Sequence, residues 1–293
     1  MPAAPNAPLR RPAPLAARAL APLILAPLVL APLVLAPLAG ATAYRAVLTA
    51  AQLDQQSTAT VRGVVVSLRP EAVGDGLIQT IVTIDVDESY RGRVGEQVEV
   101  VAPGGELEGR RLHIAGAPTF ALGEEVLVFT RGRTLVGFGQ GAFGVEGQIA
   151  ARTLGNEVEG APITLDLRQA FGRPDEAEIC QHNRLDADYN EGWSLRGADT
   201  TRVAPGEDAT YALTLVKGHE YRLQVCADGG AAALGLHLVD EDGVVLSKAD
   251  GRGRELELRF SPAETGAYYV VLDVSEPAAG VLRSAAALSV EFR

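Results

Sequence analysis

A two-residue alternation runs through residues 58–143 and leaves few folds open. Val64, Val66 and Leu68 alternate with Val65, Ser67 and Arg69. After the Gly74-Asp75-Gly76 turn, Ile78, Thr80, Val82, Ile84 and Val86 alternate with Gln79, Ile81, Thr83, Asp85 and Asp87. A sustained period of two, rich in β-branched side chains, is the pattern of a half-buried strand. Further strands are expected at 97–101, 111–115, 126–129 and 134–138. Six short strands with no helical pattern between them make a small antiparallel barrel or sandwich.

The alternation returns near the C-terminus. Tyr211, Leu213 and Leu215 share a face, as do Tyr221, Leu223 and Val225; Leu234, Leu236 and Leu238; Leu256, Leu258 and Phe260; and Leu288, Val290 and Phe292. Turn signals at Pro205-Gly206, Lys217-Gly218, Asp242-Gly243 and Thr265-Gly266 separate them, as in a sandwich. The expected fold class is therefore all-β, with a small barrel or sandwich over 58–150, which the first resemblance below makes an OB-type small barrel, and a jelly-roll-like β-sandwich over 193–293. A connector is expected at 151–192, with punctuators Gly155, Gly160 and Pro162 and a helical turn or two near 165–171. A short helical lead-in is expected at 44–57, where Val47, Leu48, Ala51 and Leu53 share a face.

Residues 1–43 read as an export signal: Arg10, Arg11 and Arg18 precede an apolar stretch, and Ala41-Thr42-Ala43 suits cleavage before Tyr44. Ala39-Gly40-Ala41 offers a second cut. Ala-Pro-Leu recurs every five residues, placing Pro22, Pro27, Pro32 and Pro37, and prolines at that spacing disfavour a spanning helix. The rival reading is an uncleaved anchor, the one route by which the membrane becomes a partner. Without these residues the chain carries 23 bases against 37 acids, a net charge of -14. Such a surface repels nucleic acid, because phosphate binding needs clustered Lys and Arg.

Two resemblances add to this reading. Val61-Arg62-Gly63-Val64, the alternating strand ending Asp87-Glu88-Ser89-Tyr90-Arg91-Gly92, and Gly123-Glu124-Glu125-Val126-Leu127-Val128-Phe129 resemble the netrin-like OB-fold group, which includes tissue inhibitors of metalloproteinases. Those inhibitors ligate the protease zinc through an N-terminal cysteine. Here the first cysteine is Cys180, so that mechanism does not carry over. In the C-terminal part, Lys217-Gly218-His219-Glu220-Tyr221, then Leu236-His237-Leu238-Val239-Asp240-Glu241-Asp242-Gly243, then Thr265-Gly266-Ala267-Tyr268 resemble the bacterial pre-peptidase C-terminal domain. That resemblance implies a secreted sandwich appended to exported enzymes and involved in substrate binding. Many members carry calcium-binding acids before the Leu-x-Leu strand, where this chain has Ala231-Ala232-Ala233-Leu234-Gly235.

The candidate site residues are few. Cys180 and Cys226, the two cysteines of an exported chain, are expected to form a disulfide, with two buried thiols as the alternative. Asp186, Asp188 and Asn190 give the opening of a calcium loop, the one metal suggested. Its glycine falls one position late at Gly192, and Gly197 stands where a bidentate Glu belongs, so a solvated acidic turn is the plainer reading. Arg-Gly-Arg occurs at 91–93, 131–133 and 252–254. If the first two share a barrel end, Arg91, Arg93, Arg131 and Arg133 could hold an acidic partner surface; the alternative is solvated arginines at turns. Trp193 is expected as a core plug. His113, His182, His219 and His237 are scattered, with His113 and His237 placed in strands and no zinc motif. No cofactor is implied.

These observations favour a secreted or periplasmic, non-enzymatic binding or accessory protein with a protein or glycan partner outside the cytoplasm. An inhibitor or partner of a secreted protease is the second reading. A hydrolase whose site is assembled from distant loops is the third, without a motif to support it.

Overall fold

The computed structural model describes residues 47–74, 76–152 and 163–293, all of which belong to one compact unit. The leader, the cleavage positions and the connector punctuators lie outside the described residues, as does Asp75. Among the described residues no helix is long and apolar enough to cross a membrane.

The lead-in helix α1 (Ala50–Gln56) starts at a capping box, in which the Thr49 side chain accepts from the Gln52 amide and Gln52 returns the contact. It buries Leu53 and Asp54, whereas Val47 and Ala51 are exposed. Two long strands follow, β1 (Ala59–Val73) and β2 (Leu77–Arg91), then β3 (Gln97–Pro103). A small hairpin, β4 (Gly105–Leu107) and β5 (Arg110–Leu112), precedes β6 (Glu125–Arg131) and the two-residue β7 (Thr134–Leu135).

The order β1-β2-β3-β7-β6 closes on itself because β6 also pairs with β1, and β3 runs parallel to β7. A five-stranded ring of that order is the OB barrel. Its interior is a branched aliphatic core that includes Val61, Val65, Val82, Val100, Val126 and Val128. Gly63 is required where β1 meets β2, since a Cβ there would stand 2.0 Å from the Asp85 carbonyl oxygen. The sheet extends past the ring through β8 (Ala142–Glu146), β9 (Ile149–Arg152) and β10 (Ile163–Asp166).

Strand 134–138 is shorter than expected, giving way to a 3₁₀ turn at Phe138–Gly141, and strand 111–115 ends at Leu112, which leaves His113 in a loop. The described part of the connector is largely helical. After α2 (Leu167–Ala170), α3 (Pro174–Asn190) runs for 17 residues with proline in its first turn.

The sandwich strands are β11 (Ser194–Val203), β12 (Asp208–Leu215), β13 (Tyr221–Ala227), β14 (Ala231–Val239), β15 (Val245–Arg252), β16 (Glu255–Phe260), β17 (Gly266–Pro277) and β18 (Ser284–Phe292). They form two antiparallel sheets, β11-β18-β13-β16 and β12-β17-β14-β15. Neighbours in the first half of the chain order fall in opposite sheets, which is the jelly-roll arrangement. Leucine and valine from both inner faces meet in one core. Sheet β11-β18-β13-β16 is also covered outside by α3, where Ala177 packs on Ala285 and Ala287.

Candidate functional site

The barrel is open at the end where β1 and β2 overrun it. The overrun forms one wall, with Leu68, Pro70, Thr80 and Val82 facing a cleft of about 420 Å³. Ala102 and Phe120 make its floor, continuous with the barrel core. The opposite wall is Leu112, Ile114 and Pro118 from the β4–β5 hairpin and the loop after it.

Two glycines bring that hairpin over the mouth. Gly104 and Gly105 have φ of 96° and 138°, and a Cβ on Gly105 would lie 2.4 Å from Thr80 Oγ1. Thr80 donates instead to the Gly104 carbonyl at 2.8 Å, and the Arg110 guanidinium donates to the Gly76 carbonyl at 3.2 Å, tying hairpin to arm. The rim is polar: Arg111 pairs with Glu106 at 3.0 Å, and His113 and Thr119 stand beside it. An apolar trough of this size with a polar rim is suited to holding a ligand.

The opposite end of the barrel holds most of the arginines singled out in the sequence. The first two Arg-Gly-Arg segments do share that end, but three of their arginines are engaged within the chain. Arg91 donates to the Asp54 carbonyl at 2.5 Å and pairs with Glu207 at 2.6 Å. Arg131 donates twice to the Gln56 carbonyl, and Arg133 pairs with Glu99 at 2.9 Å. Arg93 is exposed.

Asp54 is the hub of this end. It is 2 % exposed, accepts from Thr60 at 3.1 Å, and pairs with Arg283 of the sandwich at 3.0 Å. Nearby, Arg202 pairs with Glu88, donates to the Phe171 carbonyl and lies over the Tyr90 ring. Tyr90 stacks on Phe171 with centroids 4.1 Å apart, and burial pushes its phenol well above the ordinary range. These contacts join barrel to sandwich.

Cys180 and Cys226 form a disulfide between α3 and β13. Glu255 lies against the pair; with both sulfurs oxidised, that trio offers a metal no thiolate.

Asp186, Asp188 and Asn190 lie on α3 rather than in a loop, and successive pairs two apart on a helix point to opposite sides. Asp186 is exposed beside His182, and Asn190 donates to the Asp186 carbonyl at 2.8 Å. Asp188 turns inward, 2.6 Å from Arg222, in a buried network with Gln224 and Glu291. Burial raises the Glu291 carboxyl first, and its hydrogen bond from Arg222 opposes that rise. The three side chains therefore do not converge on one point, as a calcium loop requires.

Trp193 is 3 % exposed, its ring between Arg222 at 4.2 Å and Arg293 at 4.3 Å, so it is buried among arginines rather than in the apolar core of the sandwich. His237 in β14 contacts Asp250 at 2.9 Å across to β15, a pair that the sequence spacing did not signal.

No family model matches the chain, and no curated protein matches it. Solved structures that resemble parts of it include the pre-peptidase C-terminal domain of a Bacillus anthracis collagenase, at 17% identity and a TM-score of 0.28, covering 33% of this chain and 89% of that one. Another is PliG of Aeromonas hydrophila, a periplasmic inhibitor of g-type lysozyme, at 12% identity and a TM-score of 0.25, covering 33% of this chain and 85% of that one. A third is the CBM22-1 xylan-binding domain of Paenibacillus barcinonensis Xyn10C, at 13% identity and a TM-score of 0.20, covering 34% of this chain and 84% of that one. Likeness at these scores does not discriminate between functions.

Proposed function

We propose that this chain is a non-enzymatic binding protein acting outside the cytoplasm, in the secreted fluid or the cell envelope, and that its barrel cleft receives an apolar stretch of a protein partner. The carrying observation is the cleft, where the barrel core comes to the surface between two walls of aliphatic and proline side chains. Its volume and sparse polar rim fall within the range of ligand sites. Phe120 is the one phenyl, phenol or indole ring in its lining, which favours a peptide over a sugar that would stack on several rings. The acidic surface argues against nucleic acid, and the disulfide favours an oxidising compartment. On this reading the barrel is a netrin-like binding domain and the sandwich a pre-peptidase-type appendage. The inhibitor reading is the case in which the partner is a secreted protease.

Selection of a displayed random-peptide library on the immobilised protein tests the proposal. Enrichment of sequences with two or more aliphatic residues in a row, competed off by the free peptide, is expected. No enrichment over bare support, or enrichment of charged sequences alone, would count against it.

A further inference from the structure

The inner face of β11 departs from the apolar pattern that β13, β14, β17 and β18 present to the core. Register places Gly197 opposite Val290, Asp199 opposite Leu288 and Thr201 opposite Ala286, so these β11 residues share the face that packs toward the other sheet. Glycine, aspartate and threonine stand where a sandwich ordinarily carries apolar side chains. A register shift between Leu195 and Gly197 bulges the strand there, and a Cβ on Gly197 would meet nothing within 4 Å.

The result is an open slot of about 330 Å³ between edge strands β11 and β12. Its floor is apolar, formed by Leu213, Leu288 and Val290. Charges of opposite sign stand on its β11 side: Asp199, and three residues before it Arg196, whose guanidinium also lies 6.0 Å from the Tyr221 ring. Tyr211 faces the Asp199 carboxylate and Thr201; burial first, then that carboxylate, push its phenol up to about 12, so it remains a donor at neutral pH.

We infer that this slot is a second binding site, for a free aliphatic α-amino acid, whose side chain covers the floor while Asp199 takes its ammonium and Arg196 its carboxylate. The register shift at Arg196 breaks the alternation that would otherwise turn it away from Asp199, and both residues line the slot, one for each charged group of the zwitterion. A ligand with one charge would leave either Asp199 or Arg196 without a counterpart. The slot lies on the sandwich, apart from the barrel cleft, and does not depend on the function proposed for that cleft.

Calorimetric titration of the purified protein with L-leucine tests the assignment, with isoamylamine and 4-methylpentanoate as single-charge controls. Leucine should bind in the millimolar range or tighter, and each control at least about tenfold more weakly. Asp199→Asn and Arg196→Gln should each weaken leucine binding about tenfold, and Gly197→Leu should block it by filling the slot. All three change exposed residues, and unchanged thermal melting would confirm that each variant is folded. The inference is overturned if leucine gives no heat at about 10 mM, if a single-charge control binds as well as leucine, or if Asp199→Asn and Arg196→Gln bind leucine like the parent.

Discussion

Asp54 carries more of the structure than its place in a seven-residue helix suggests. It faces Arg283, itself 4 % exposed, and Arg91, so removing its charge leaves cations with no buried counter-ion. Asp54→Asn should cost about 3–5 kcal/mol, the usual result of breaking one side of a buried pair. Chemical denaturation measures this, with the exposed pair of Asp175 and Arg168 as a control whose loss should leave the midpoint nearly unmoved. Asp273 offers a test of opposite sign. Burial first, with Asp208 and Asp250 adding to it and His237 opposing, raises its carboxyl above the ordinary value. The folded chain thus holds that proton more tightly than the unfolded chain. The associated stability is present below the ordinary carboxylate range and is lost as pH climbs through the raised value. Asp273→Asn should match the parent's melting temperature near about pH 4 and exceed it near about pH 7. A difference that stays constant with pH would contradict this cause.

At the scale of elements, α3 is held to the sandwich by the disulfide and by the Asp188–Arg222 pair beneath it. Replacing both cysteines with serine should cost about 4 kcal/mol in the chain-entropy account for a separation of 46 residues. Reduction should lower the melting temperature of the parent and leave the double variant unchanged. The barrel strands were legible because they alternate and are rich in valine and isoleucine. The helix was not, although Pro174 followed by Asp175 and Glu176 is a helix start. Its buried residues are Ala177, Gln181 and Asp188, so no apolar stripe repeats at helical spacing. The same residues gave the calcium-loop reading, because Asp-x-Asp-x-Asn opens such a loop only if the backbone is not helical. In the sandwich, β11 carries no strand signature for a related reason: its inward positions are Gly197, Asp199 and Thr201, so no apolar alternation marks it. The cleft was hidden too, since it arises from the unequal reach of β1, β2 and β3 rather than from any motif. One cleft residue gives an element-level test: Ile114→Glu puts a charge on a loop wall without touching the ring. It should weaken binding of a selected apolar peptide at least about tenfold while leaving the melt unchanged.

At the scale of the molecule, barrel and sandwich are bound into one unit by Asp54, Arg91, Arg202 and Arg283 and by the Tyr90–Phe171 stack. Arg91 at the closed end of the barrel thus serves cohesion between the two parts, and the proposed partner would dock at the open end. The most direct measurement is amide chemical-shift mapping of the labelled protein titrated with a peptide selected on it. Shifts concentrated at Thr80, Gly104, Gly105 and Ile114 are the predicted result. Shifts confined to the sandwich, or to the barrel end that holds Arg91 and Arg131, would contradict the assignment of the cleft as the binding site.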